Sequence, residues 1–157
     1  MSDNKFRSGF ITVIGRPNVG KSTLINRIVG EKVSIVSPRP QTTRNRVLGV
    51  RTDEKQAWQM VFVDTPGIHK PRTRLGDYME KTVQDAMKGM DVLVLMVDAA
   101  SIGARDRDTL LSLSAKKLPR ILAINKVDTV HPQTLLPLMD LFKDDDLTAI
   151  IPISART

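Results

Sequence analysis

Gly15 and Gly20 are separated by four residues, and Lys21 and Ser22 follow at once. Glycine at both ends lets backbone wrap closely round a phosphate, with successive N–H groups pointing inward. Lys21 would reach β- and γ-phosphate oxygens, and the Ser22 hydroxyl would ligate Mg²⁺. Further along, Asp64-Thr65-Pro66-Gly67 offers a carboxylate that can hold the ion through water, and a Gly67 N–H suited to a γ-phosphate. Asn125-Lys126-Val127-Asp128 combines an amide, a long aliphatic stem and a carboxylate. Guanine presents two adjacent donors, N1–H and N2–H, which the Asp128 carboxylate accepts in bidentate fashion. Adenine has a lone pair at N1 and no 2-amino group, so it would leave that carboxylate buried and unpaired. A stranded charge costs more than the ~1–3 kcal/mol of a neutral group, enough for strong rejection. Asn125 would tie the base or neighbouring loops, and the Lys126 stem can lie over the ring. In Ser154-Ala155-Arg156, the Ala155 N–H can donate to guanine O6.

Strand and helix patterns decide whether these clusters can meet. Taken singly, "DTPG" is a common turn and "SAR" is nearly uninformative. "FITVIG" (Phe10–Gly15) is a short, branched, apolar run, the pattern of a strand buried on both faces. From Ser22, residues Leu24, Ile25, Ile28 and Val29 recur at helical spacing until Gly30 stops the helix. Such a helix directs the positive end of its dipole at the glycine loop. Residues 31–46, rich in proline, serine and threonine, read as an irregular loop. "RVLGVRT" and "AWQMVFVDT" flank the turn-like "DEKQ" as an antiparallel hairpin. A helix is predicted after "PGIHKPRTR" to about Gly89, then a buried strand at Asp91–Ala99 and a helix through "DTLLSLSAKK". A strand at "RILAINK", a helix over "PQTLLPLMDLFKD" bent near Pro137, and a strand at "TAIIPISA" complete the chain.

Alternating apolar strands and helices imply an α/β fold: a mostly parallel sheet with one antiparallel edge hairpin, covered by helices on both faces. With the glycine loop after the first strand, this three-layer α/β/α arrangement resembles that of the P-loop NTPases. Ligands in such sheets sit beyond the carboxyl ends of the strands. The glycine loop follows the first strand, Asp64 closes the third, Asn125–Asp128 follows the fifth and Ser154–Arg156 the sixth. All four sets are therefore predicted on one rim. In the loop before the hairpin, Thr42 or Thr43 can ligate Mg²⁺ only while a γ-phosphate is present. That loop would order with triphosphate and relax after hydrolysis.

Composition excludes several other chemistries. At 157 residues the chain is about one domain, and 41% hydrophobic with 26% charged residues reads as globular. The absence of cysteine removes disulfides, thiolate zinc sites and a catalytic thiol, and the two histidines argue against a multi-histidine metal site. "MSDNKFRSGF" lacks the apolar centre of a signal peptide, and no apolar run approaches the ~18 residues of a membrane span. A cytoplasmic protein is expected. The net charge of +7 comes from scattered basic residues, which solvation and a few phosphate ligands account for better than an RNA-binding patch does.

Together "GRPNVGKSTLINRIVG", "QTTRNR", "FVDTPGIHKP", "NKVD" and the terminal "ISA" resemble the Era-like family of bacterial small GTPases, over Phe10 to Arg156. The resemblance implies a GTP-hydrolysing switch. It assigns nucleotide contacts to Gly15, Arg16, Pro17, Asn18, Val19, Gly20, Lys21, Ser22 and Thr23. Asp64, Thr65, Pro66 and Gly67 join them, as do Asn125, Lys126, Asp128, Ser154, Ala155 and Arg156. Magnesium is implied at Ser22, Asp64 and Thr43, which the family's related segments favour over Thr42. The family's GTPase domain is followed by a KH domain that binds the 3′ end of small-subunit (16S) ribosomal RNA and assists assembly of the 30S subunit. Residues 1–157 then correspond to the GTPase domain, truncated near its last helix and without the KH domain. A monomer is expected, cytoplasmic and partly peripheral at the inner membrane.

Ras-like enzymes follow the D-x-x-G glycine with a glutamine that orients the attacking water. Here the switch position holds Ile68, so slow basal hydrolysis is implied, resting on Lys21, Mg²⁺ and loop N–H groups such as that of Gly67. Relatives with asparagine at the place of Asn18 hold a potassium ion near the β–γ bridge, so the resemblance implies either K⁺ as a further cofactor or an asparagine that only shapes the loop. Arg44 and His69 lie nearby in sequence, but spacing alone cannot aim them at the leaving oxygen. Two alternatives stay open: a nucleotide-binding scaffold with negligible hydrolysis, and a sibling ribosome-assembly or tRNA-modifying GTPase. An ATP-using enzyme is disfavoured by Asn125–Asp128.

Overall fold

The alternating apolar runs form one six-stranded sheet in a computed structural model that describes residues 5–30, 46–64, 87–112 and 118–157. The strands are β1 (Arg7–Ile14), β2 (Arg46–Asp53), β3 (Trp58–Asp64), β4 (Val92–Asp98), β5 (Arg120–Asn125) and β6 (Ala149–Pro152). Between them lie α1 (Lys21–Val29), α2 (Ala104–Ser112) and α3 (Leu135–Asp140), with 3₁₀ turns at Val127–Thr129 and Pro132–Thr134. The order across the sheet is β2-β3-β1-β4-β5-β6. Only β2 and β3 pair antiparallel, as the hairpin pattern predicts, with a register shift between Val47 and Gly49. The other neighbours run parallel. Strand order reverses at β1, between β3 and β4, and at such a switch point the loops diverge and leave a crevice.

Both sheet faces are packed. On one, Ile14, Leu93, Leu95, Val97, Leu122 and Ile124 meet Leu110 of α2 and Phe142 just beyond α3. On the other, Val13, Phe62, Met96 and Ala123 meet Ile25 of α1, with Leu24 and Ile28 partly buried beside them. Each large side chain so buried contributes about 1.5–3 kcal/mol. Strands alternate their side chains between faces, which is why consecutive residues of β4 and β5 serve opposite clusters.

Several boundaries differ from the sequence expectations. β1 begins at Arg7 rather than Phe10, because the Arg7 N–H pairs with Ala57 O (2.9 Å) across the hairpin end. Only its second half is buried, and Phe10 is 45% exposed, so the strand is not covered on both faces throughout. α2 starts at Ala104, before the expected Asp108, because the Asp106 carboxylate accepts the Gly103 N–H (2.9 Å) at its entrance. The helix expected over residues 132–144 divides into a 3₁₀ turn and the six-residue α3. Pro137 sits in the first turn of α3, where a missing N–H breaks no helical bond. β6 ends at Pro152, and residues 153–155 leave the sheet to form part of the rim. The helix expected up to Gly89 falls largely outside the described residues.

Candidate functional site

Beyond Ile14 the chain must turn from β1 into α1 over a short loop, close against β4. A Cβ on Gly15 would strike the Met96 carbonyl and come within 2.9 Å of the Val19 side chain. Gly20 caps α1 at φ 104°, and a Cβ there would collide with the Asn125 amide. Asn18 is also left-handed, at φ 65°, which asparagine tolerates better than most residues. No acidic residue lies in the first turn of α1 and no side chain caps it, so its positive end is open to an anion. Ser22 and Thr23 are exposed in that turn.

Lys21 folds back over this loop, donating to Gly15 O (2.7 Å) and Arg16 O (2.8 Å). Partial burial lowers its pKa below the ordinary lysine value, while the charge of Asp64 opposes that shift. β3 lies beside β1 in parallel, which brings Asp64 to the neighbourhood of the loop. Two segments distant in sequence thus share one electrostatic environment.

Asn125, 3% exposed at the end of β5, joins two loops. Its amide donates to Val19 O (2.8 Å), and its Oδ1 accepts the Ala155 N–H (2.8 Å). Of the two roles the sequence allowed, base or loops, its hydrogen bonds here are to loops. They also engage the Ala155 N–H, the group expected to face guanine O6. Lys126 takes a left-handed turn at φ 63° and donates to Asn18 O and Asp98 Oδ2, both at 2.8 Å. The Ser154 hydroxyl donates to Asp128 Oδ1 at 2.8 Å and so orients that carboxylate.

These side chains enclose a cavity of about 730 Å³. Asn18, Gly20, Lys21, Ser22 and Thr23 line it from one side, and Asn125, Lys126, Asp128, Ser154, Ala155 and Arg156 from the other. Its size falls within the range of small-molecule and cofactor sites. Gly15, Arg16, Pro17 and Val19 support the loop without lining the cavity. Thr42, Thr43, Thr65, Pro66, Gly67 and Ile68 lie outside the described residues.

Several contributors escaped sequence reasoning. Asp98 ends β4 on the same rim, so the strand-end criterion extended to that strand singles it out. Burial pushes its carboxyl pKa up, but the Lys126 hydrogen bond, the Ala100 N–H and the charges of Lys126 and Arg16 outweigh this and hold it below the usual range. Thr129 also lines the cavity. Arg27 of α1 donates to Arg156 O (3.2 Å) and to Thr157 O, steadying the last rim segment. No local motif announces Thr129 or Arg27.

A family model described as the 50S ribosome-binding GTPase matches residues 10–126. The chain belongs to this family. It is 48% identical to GTPase Era of Lactobacillus helveticus (strain DPC 4571) over 156 residues, 99% of this chain and 51% of that protein. Among solved structures, it resembles Era in complex with MgGDPNP and nucleotides 1506–1542 of 16S ribosomal RNA, with TM-score 0.74 and 40% identity over 96% of this chain and 52% of that one. A second is a single-substitution variant of Aquifex aeolicus Era bound to GDP·AlF₄⁻, with TM-score 0.72 and 40% identity over 94% of this chain and 51% of the other. The chain spans about half the length of the curated relative it matches. Its architecture is that of the P-loop GTPases, as the alternating strands and helices predict.

Proposed function

We propose that the cavity binds a guanine nucleotide and that the protein hydrolyses GTP to GDP and phosphate as a slow switch. The observation that carries this is one cavity bounded jointly by the glycine loop, Asn125–Asp128 and Ser154–Arg156. Phosphates fit against the loop and the open end of α1. Lys21 exchanges the carbonyls of Gly15 and Arg16 for β- and γ-phosphate oxygens. Asp128, oriented by Ser154, accepts the two guanine donors, and Asn125 holds the phosphate and base loops at a fixed separation.

The donor set also fits Mg²⁺, which prefers oxygen and keeps several nonprotein ligands. Ser22 lines the cavity next to Lys21 in the first turn of α1, and the Asp64 carboxylate is near enough to Lys21 to act on its charge. Ser22 and Asp64 would hold the ion with nucleotide oxygens and water, and Thr43 would join them in the triphosphate state. The ion supplies charge stabilisation for the transferring phosphoryl group. The likeness to Era in complex with MgGDPNP supports a magnesium-bound nucleotide here.

Ile68 stands where a hydrogen-bonding residue would orient water, so the expected basal turnover is slow. Asn18 of the phosphate loop lines the cavity, which is compatible with the family resemblance that would have it help hold K⁺ near the β–γ bridge. Turnover is therefore expected to be faster in potassium chloride than in sodium chloride at matched ionic strength, and equal rates would remove K⁺ from the mechanism. A role on small-subunit ribosomal RNA is supported by the likeness to Era in complex with nucleotides 1506–1542 of 16S ribosomal RNA, and the family resemblance would assign that contact to a KH domain. A cytoplasmic monomer, partly peripheral at the membrane, follows from the family resemblance. Calorimetry with GDP, GTP and ATP in magnesium buffer, then single-turnover phosphate release from GTP, tests the core reading. Tight guanine binding with slow release is expected, whereas equal affinity for ATP would overturn it.

A further inference from the structure

Arg16 follows the first glycine of the loop, yet its side chain turns away from the cavity. Its Nε donates to Asp106 Oδ1 at 2.9 Å, and one terminal nitrogen reaches Ser101 O and Ser101 Oγ, the latter at 3.3 Å. Asp106 is 2% exposed, and its second oxygen accepts the Gly103 N–H at 2.9 Å. A buried carboxylate with both oxygens engaged and an arginine fork 90 residues away in sequence is a rigid anchor rather than a solvated surface pair. The anchored residue is also the one whose backbone carbonyl holds Lys21. On the opposite shoulder of the loop, Lys126 holds Asn18 O and is itself held by Asp98.

From this geometry we infer that Arg16 and Asp106 are positioning residues that hold the phosphate loop in its receptive shape from outside the cavity. The inference rests on the nucleotide reading above. A loop already fixed by its surroundings needs less ordering when phosphate arrives, and that saving appears as affinity. The arginine fork is specific to the task, since a lysine cannot serve the carboxylate and the Ser101 oxygens together. The base lies against other segments, so the clamp acts on phosphate binding and leaves base recognition alone.

The test compares a ligand that fills the phosphate loop with one that does not. Arg16→Gln and Asp106→Asn variants of this chain are titrated with GDP by calorimetry and with guanosine by NMR, after circular dichroism establishes that they fold. GDP affinity is expected to fall about tenfold in each, with guanosine affinity within about twofold of the parent. The double variant is expected to lose no more than the more damaging single change, because either change releases the same clamp. Parallel losses for GDP and guanosine, unchanged GDP affinity, or additive losses each overturn the inference. Should Arg16→Gln not fold, Arg16→Lys keeps a cation beside Asp106, and undiminished GDP binding by it overturns the clamp. A parent chain that binds neither ligand rejects the nucleotide reading itself and the clamp with it. A parent that binds both, with variants that bind equally well, rejects the clamp alone.

Discussion

Asp128 shows how much selectivity a single side chain can carry. Its Oδ1 accepts from Ser154, and the carboxylate has only acceptors to offer a base. Asp128→Asn replaces one acceptor by a donor that would face a guanine N–H. GDP affinity is expected to drop at least about a hundredfold, while a base with an oxygen at position 2 gains; competition calorimetry with GDP and XDP measures both. Lys21 makes a prediction about pH. Burial lowers its pKa in the unliganded protein, so the empty fold gains stability as pH rises through that lowered value towards the unfolded one. Bound phosphates favour the ammonium instead. GDP binding should therefore take up protons in the alkaline range and weaken as pH rises there, while Lys21→Ala abolishes that uptake. Calorimetry in buffers of different ionisation enthalpy reads it directly.

At the level of elements, the site depends on cross-links between strand ends. Asn125 joins the loop after β1 to the segment after β6 through bonds spanning 106 and 30 residues. Asn125→Ala strands the Val19 carbonyl and the Ala155 N–H in a buried place, at a cost of about 2–5 kcal/mol in urea unfolding. The same change should abolish measurable GDP binding where the protein remains folded, because base and phosphate loops lose their fixed separation. The periodicity of β4, β5 and α1 was legible because each buries a complete apolar stripe. The division of residues 132–144 was not, since Pro137 is compatible both with a bend and with the first turn of a shorter helix. The exposed half of β1 was missed because apolar content alone cannot tell which end of a strand its neighbours cover.

For the molecule as a whole, ligand binding and folding are one equilibrium. A nucleotide that binds only the folded chain stabilises it by about 2.7 kcal/mol at roughly a hundred times Kd. In a chain of 157 residues that is expected to raise Tm by several degrees with GDP and magnesium, and to leave Tm unmoved with ATP at the same concentration. Differential scanning calorimetry checks the contrast. The sheet order makes such coupling possible, because β1 lies between β3 and β4 and its loop opens at the reversal point.

By itself, the amino-acid order determined the alternation of strands and helices, the antiparallel hairpin, and the phosphate and base motifs. These features are local, written in periodicity, turn chemistry and residue type. Tertiary structure alone decided that the Asn125 amide spans two loops, that Asp98 pairs with Lys126, that Arg27 reaches the last rim segment, and that Arg16 faces Asp106 rather than the cavity. Those contacts join residues that no short window contains, and a polar side chain takes its partner from whatever packing brings within hydrogen-bond reach.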